Sequence, residues 1–107
     1  MKTNELTGTA LDWAVAVCEV GVKDAEQGGS WFRPSTNWAQ GGPIIEREEM
    51  TVCCHWMRPF ATKLVRGTRK VIQCNGDTPL IAAMRCYVAS KLGDEVEIPT
   101  ELQGESK

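Results

Sequence analysis

From Ser35 to Arg47 the chain reads Ser-Thr-Asn-Trp-Ala-Gln-Gly-Gly-Pro-Ile-Ile-Glu-Arg, which joins helix-start residues, an aromatic side chain and a Gly-Gly-Pro sequence. Three residues in a row, Ser35, Thr36 and Asn37, are candidate N-caps, and Asn37 with Gln40 three positions later fits a capping box. The Gly-Gly-Pro sequence would cost a continuous helix about 4 kcal/mol or more in intrinsic propensity. We therefore predict a break at residues 41–43, followed by a new helical turn from the proline through Glu49.

Helices are also predicted on both sides of this stretch. Near the N-terminus, apolar residues recur at helical spacing and predict a buried helix from about Thr3 or Thr9 to Glu19. The clearest helix of the chain begins with Thr78 as N-cap and a proline directly after it, and it ends at Gly93. Its predicted inward residues are Leu80, Ile81, Met84, Tyr87, Val88 and Leu92.

The segment between these helices predicts a small sheet. Thr51 to Trp56 is rich in strand formers, and Arg58-Pro59 closes it. Thr62 to Val65 and Arg69 to Cys74 flank Gly67-Thr68 as a hairpin. The order of elements predicts an α+β fold, α-α-β-β-β-α, with a three-stranded antiparallel sheet packed with helices.

Length and composition predict one soluble domain over residues 1–107, with an acidic and partly frayed tail over about residues 94–107. The hydrophobic content is 42%, and no apolar segment approaches the roughly 18 residues of a membrane helix. The N-terminus lacks the features of a secretory signal, so we expect an intracellular protein. The five cysteines form no Cys-x-x-Cys pair, and Cys53 with His55 would give zinc too few ligands, so we predict no metal site.

Charge is unevenly distributed. Between Met50 and Gly76 there are basic residues and no acidic ones, although the net charge of the chain is −2. The basic residues of this segment are Arg58, Lys63, Arg66, Arg69 and Lys70. A basic centre invites an anionic ligand or a nucleic acid, but we interpret it as a solvated face that protects a sheet edge. Nucleic-acid binding is not favoured, because the sequence pI is about 5.4.

The 35–46 stretch and Thr-Pro-Leu-Ile-Ala-Ala-Met-Arg at residues 78–85 resemble the NinX-like proteins of tailed phages and prophages. The resemblance covers nearly the whole chain. Relatives often carry Asp where this chain has Asn37, which keeps the capping ability and removes a charge. More distantly the chain is similar to phage domains that form α-β-α sandwiches, which implies a sheet between helices. The family implies a phage protein and no agreed biochemical activity.

An enzyme is not predicted. The chain has one histidine and shows no nucleophile elbow, phosphate loop or carboxylate pair at a telling spacing. We interpret Glu46, Glu48 and Glu49 as the solvated side of a helix. No cofactor is expected.

A binding module is the preferred hypothesis. A helix start with free N–H groups, glycines and an aromatic ring suits a nucleotide-like anion. The residues predicted to contact it are Arg33, Ser35, Thr36, Asn37, Trp38, Gln40, Gly41 and Gly42. The structural alternative is that Trp13 and Trp56 are core and that Trp38 covers the sheet.

By analogy with small phage proteins that act against host defence, we predict sequestration of a nucleotide-derived signal. The protein would act as a homo-oligomer in the cytoplasm of the infected bacterial host. The alternative is an adaptor or inhibitor that binds a host protein through exposed Trp31, Phe32 and the basic hairpin.

Overall fold

The computed structural model of the chain describes residues 3–21, 32–53, 58–64, 70–93 and 95–96. It confirms the predicted α+β class with a three-stranded antiparallel sheet. In chain order the elements are a short 3-10 turn (Thr3–Glu5), α1 (Gly8–Val20), α2 (Trp38–Arg47), β1 (Thr51–Cys53), β2 (Phe60–Leu64), β3 (Val71–Asn75) and α3 (Pro79–Leu92).

The sheet has the order β1-β2-β3, with β2 in the centre. Phe60 lies between Cys53 on one side and Asn75 on the other, and Leu64 is opposite Val71. The predicted hairpin is therefore confirmed, although β2 begins two residues earlier than predicted. Phe60 and Ala61 each pair with both β1 and β3, so the strand begins directly after Pro59.

Helix α3 occupies the centre of the fold. Residues 82–89 are all buried, because the helix packs against the sheet and also against α1, α2 and the N-terminal turn. A helix, rather than the sheet, therefore forms the middle layer of the described elements. The predicted Thr78 cap is confirmed, since its Oγ1 accepts the Ile81 N–H at 3.1 Å. Leu92, which was predicted to face inward, is 38% exposed in the last turn of the helix.

A buried arginine fastens α3 to distant parts of the chain. The Arg85 guanidinium donates from Nε to the Leu6 carbonyl at 2.7 Å and from Nη1 to the Asn75 carbonyl at 2.8 Å. Burial lowers the pKa of Arg85 from its ordinary value. The arginine that ends the second family-like motif thus joins the N-terminal turn, β3 and α3.

The predicted start of the first helix is corrected by the structure. The helix begins at Gly8 with Thr7 as N-cap, and Thr3 lies in a separate 3-10 turn. The Thr3 hydroxyl donates to the Gly93 carbonyl at 2.6 Å, which ties this turn to the end of α3.

Helix α2 is continuous, so the predicted break at residues 41–43 is wrong. A Cβ on Gly41 would lie 2.5 Å from the Pro34 carbonyl oxygen and 2.6 Å from Leu80 Cδ1, so only glycine permits this approach to α3. Ile44, one turn further on, is buried on the same side. Packing of this side stabilises the helix more than its intrinsic propensity disfavours it. Pro43 points outward and is exposed.

Candidate functional site

Hydrogen bonds within the protein occupy most of the backbone donors at the N-terminal end of α2. Asn37 is the N-cap as predicted, with its Oδ1 accepting the Ala39 N–H at 2.9 Å. The Asn37 carbonyl accepts the next two amides, and the Ser35 N–H donates to Asp12 Oδ1 at 2.9 Å. Only the Trp38 amide lacks an acceptor within the described part of residues 35–41. These donors therefore give little support to anion binding through the backbone.

The predicted capping box uses different partners. Gln40 Oε1 accepts the Arg33 N–H, whereas the Asn37 N–H donates to the Arg33 carbonyl at 2.9 Å. The turn at residues 33–37 supplies its own acceptor for Asn37, and Gln40 closes the turn from the other side. Gln40 thus holds Arg33 next to α2.

Asp12 of α1 supports this turn from beneath. Burial raises the pKa of Asp12, although the hydrogen bond from the Ser35 backbone N–H and the charge of Arg33 partly oppose that effect. The Ser35 hydroxyl is buried beside the carboxyl and makes no hydrogen bond of normal geometry. A carboxylate at this point opposes a second anion, so an anionic ligand would have to bind the exposed side chains instead.

The predicted site residues separate into two groups. Ser35 and Gly41 are buried and serve the packing of α2. Four others are exposed, and Gly42 is half-buried in the same helix as Trp38. We call the Trp38 surface the set formed by Arg33, Thr36, Asn37, Trp38 and Gly42. Trp38 is 55% exposed, so it does not cover the sheet. Gln40 is half-buried between the two groups.

A second cluster, which the sequence reasoning missed, lies at the other end of α2. We call it the Glu48 junction, and its members are Glu19, Arg47, Glu48, Lys63, Tyr87 and Lys91. The Glu48 carboxylate contacts Arg47 Nε at 3.0 Å, Lys63 Nζ at 3.5 Å and Lys91 Nζ at 3.8 Å. Its side chain is 10% exposed, so its assignment to the solvated side of a helix is wrong.

Arg47 links this junction to the other two helices. Its guanidinium binds Glu19 with two hydrogen bonds of 3.0 and 2.7 Å, and Nη2 donates to the Tyr87 hydroxyl at 3.1 Å. The Arg47 hydrogen bond lowers the pKa of Glu19. Burial alone would raise the pKa of Glu48, but the Arg47 hydrogen bond and the charges of Lys91 and Lys63 lower it overall.

Lys63 is buried, which contradicts its assignment to a solvated basic face. Alternation along β2 was the available signal, because Lys63 shares the inward side of the sheet with buried Ala61. A lysine on that side requires a buried carboxylate, and Glu48 supplies it. Arg58 and Lys70 are exposed as predicted, while Arg66 and Arg69 lie outside the described residues.

The predictions for His55 and for the other aromatic residues have different outcomes. His55, Trp56 and Trp31 lie outside the described residues. Phe32 packs against the core and is only partly exposed, so it is not the free aromatic contact that the adaptor hypothesis assumed. Trp13 also packs against the core and is half-buried.

The described part of the chain lacks the features of a metal site and of a membrane-spanning helix. Among these residues no three histidine, cysteine or acidic side chains come together as a metal site. No helix within the same residues has the length and hydropathy to cross a membrane.

The fold and the two clusters on α2 define a small α+β protein that exposes a tryptophan at the start of α2. Residues 2–91 match the model of the family described as Bacteriophage P22, NinX. The chain therefore belongs to the NinX family of phage proteins. A comparison with curated proteins gives no match.

Proposed function

We propose that this protein is a non-enzymatic phage accessory protein that binds and sequesters a small nucleotide-derived signal of the host. The observation that carries the proposal is the exposure of Trp38 at 55% beside an exposed arginine. A large indole left in water on a small domain provides a stacking surface for a base. Arg33 on the same turn provides a cation for a phosphate.

The ligand would contact side chains more than backbone. Thr36 and Asn37 are exposed between Arg33 and Trp38 and offer further hydrogen bonds. Sequestration requires tight binding and no turnover, which fits a surface without an acid, base or nucleophile among its described members. The protein would act in the cytoplasm of the infected cell, and a homo-oligomer would enlarge the contact with a small ligand.

Calorimetry tests this proposal. Purified protein is titrated with cyclic dinucleotides and ADP-ribose derivatives, and we expect a dissociation constant below the millimolar range for at least one of them. Trp38→Ala and Arg33→Ala should weaken that binding at least tenfold, while Glu46→Ala should not change it, because this exposed residue lies in the last turn of α2, roughly 12 Å along the helix from Trp38. Binding weaker than millimolar across the whole panel would reject sequestration.

A second candidate is an adaptor or inhibitor that binds a host protein. Leu64 and Val71 are paired across β2 and β3, and they are 57% and 58% exposed. Adjacent exposed aliphatic side chains favour a protein contact over a small polar ligand. Affinity capture from host lysate distinguishes the two functions, because a stoichiometric protein lost in Leu64→Ser would favour the adaptor. A small ultraviolet-absorbing molecule lost in Trp38→Ala would favour sequestration.

A further inference from the structure

Gly42 and Pro43 disfavour the helix that contains them, and packing does not account for either residue. A Cβ on Gly42 would meet nothing within 4 Å in the described structure, in contrast to Gly41. Pro43 is exposed in the middle of α2 and makes its helix less favourable than alanine would. Residues that weaken a helix without an internal role indicate a requirement from outside the chain.

Pro43 changes the hydrogen bonding of α2 at its exposed side. Proline has no N–H, so the carbonyl of Ala39, four residues earlier, loses its usual helical donor. Ala39 is itself an exposed residue, which allows a ligand to approach this acceptor. Trp38 and Gly42 are also four residues apart and lie on the same side of the helix.

These features bring an aromatic ring, an open space and a hydrogen-bond acceptor together on one exposed strip. Trp38 supplies the ring, Gly42 supplies the space and Ala39 supplies the acceptor. A ligand that satisfies all three is planar and carries an N–H donor at its edge. Aliphatic or purely anionic ligands would leave the acceptor unpaired.

We propose that the Trp38 surface selects a nucleobase that carries an exocyclic amino group, such as adenine. The base stacks on Trp38 and extends over Gly42, and its amino group donates to the Ala39 carbonyl. The phosphate of the same ligand lies towards Arg33. This inference rests on the proposed function and adds the class of base to it.

The test compares adenosine 5′-monophosphate with purine riboside 5′-monophosphate, which lacks the exocyclic amino group and adds no other N–H donor. We expect calorimetry on the full chain to give about tenfold tighter binding of the adenine nucleotide, the usual effect of one hydrogen bond. In Pro43→Ala the new N–H binds the Ala39 carbonyl, so the preference should fall to about twofold or less. This variant should keep its fold, since alanine favours a helix, and circular dichroism verifies that.

Gly42→Val is the matched control, because it fills the space and leaves the carbonyl free. It should weaken both nucleotides by the same factor. Equal binding of the two nucleotides to the unmodified protein would overturn the amino-base inference and leave sequestration standing. Failure of both nucleotides and of the cyclic dinucleotides and ADP-ribose derivatives would overturn the inference together with the proposed function. A preference that survives in Pro43→Ala would also overturn the assignment to Ala39.

Discussion

At its N-terminal end α2 is held by hydrogen bonds around Asn37 and a buried aspartate, whereas at its C-terminal end Arg47 and Glu48 bind three other elements through charges. Burial raises the pKa of Asp12 at the first end. Neighbouring cations lower the pKa values of Glu19 and Glu48 at the second. The C-terminal end is thus fixed by paired charges. The first two turns of α2, in contrast, contain an exposed indole together with Gly42 and Pro43, which both disfavour a helix. Surfaces that carry function commonly show such unfavourable features.

The largest expected effect distinguishes the two adjacent glycines of α2. Gly41→Ala places a methyl group against the Pro34 carbonyl and the Leu80 side chain, so the backbone of the turn before α2 and the side chain on α3 must both shift. We expect a loss of about 3 kcal/mol in the free energy of unfolding, measured by urea denaturation. A loss below about 0.5 kcal/mol would show that the contact between α2 and α3 is looser than described.

The next effect concerns the Glu48 junction. Glu48→Gln leaves the buried Lys63 ammonium without a charged partner and should cost about 2 kcal/mol at neutral pH. Because the pKa of Glu48 is lowered, its contribution is present above the unfolded value of about 4.3 and is lost as the pH falls through the folded value. The difference between the two proteins should therefore shrink towards pH 3.

Two variants serve as controls for this junction. Glu46→Gln changes an exposed carboxylate of the same helix and should stay within about 0.5 kcal/mol of the unmodified protein. Lys63→Met removes the buried charge and leaves Glu48 with Arg47 and Lys91, so it should cost less than Glu48→Gln. Equal losses in all three variants would reject a specific role for Glu48.

A gain in stability is expected at the exposed side of α2. Gly42→Ala introduces a methyl group that meets no other atom within 4 Å and should stabilise the protein by about 1 kcal/mol. Thermal denaturation compares the stability of this variant with that of Gly41→Ala, for which a loss of stability is expected. Destabilisation by Gly42→Ala would mean that Gly42 does serve the fold, and it would remove the argument for an external requirement.

The smallest effect tests the aspartate beneath the Trp38 surface. Asp12→Asn keeps an acceptor for the Ser35 N–H and gives the buried Ser35 hydroxyl a donor, so it should stabilise the protein by about 0.5 kcal/mol at pH 7. A raised pKa favours the folded state below the unfolded value of about 3.9, and this contribution is lost as the pH rises through the folded value. The advantage of the asparagine should consequently vanish near pH 3. Denaturation at several pH values measures it, and an advantage that persists in acid would contradict the raised pKa.

Local sequence chemistry was sufficient to predict most elements of this fold. Asn37, Thr78 and Gly93 were recognised as helix boundaries because capping depends on single residue types. The continuity of α2 was not predictable, since it depends on the contact between Gly41 and Leu80, which are 39 positions apart in the chain. Propensity counts the cost of Gly-Gly-Pro but contains no information on what the helix packs against.

The candidate site was only partly predictable for the same reason. Exposure of Trp38 and burial of Ser35 follow from how the turn at residues 33–37 sits on Asp12, which no local pattern reveals. The Glu48 junction combines residues from three helices, a strand and the residue after α2, so spacing along the chain cannot show it. Alternation along β2 places Lys63 on the same side as Ala61, but only the structure shows that this side is the buried one.

The position of α3 in the chain has a consequence for folding during synthesis. Every layer packs on a helix that comes near the end of the sequence, and Arg85 in that helix holds the Leu6 carbonyl. Domains often fold progressively while the ribosome extends them, but here the early segments lack their shared partner until residues 79–92 emerge. Packing of the early segments must then wait until α3 has been synthesised, and a nascent chain stopped before Thr78 should remain sensitive to proteases.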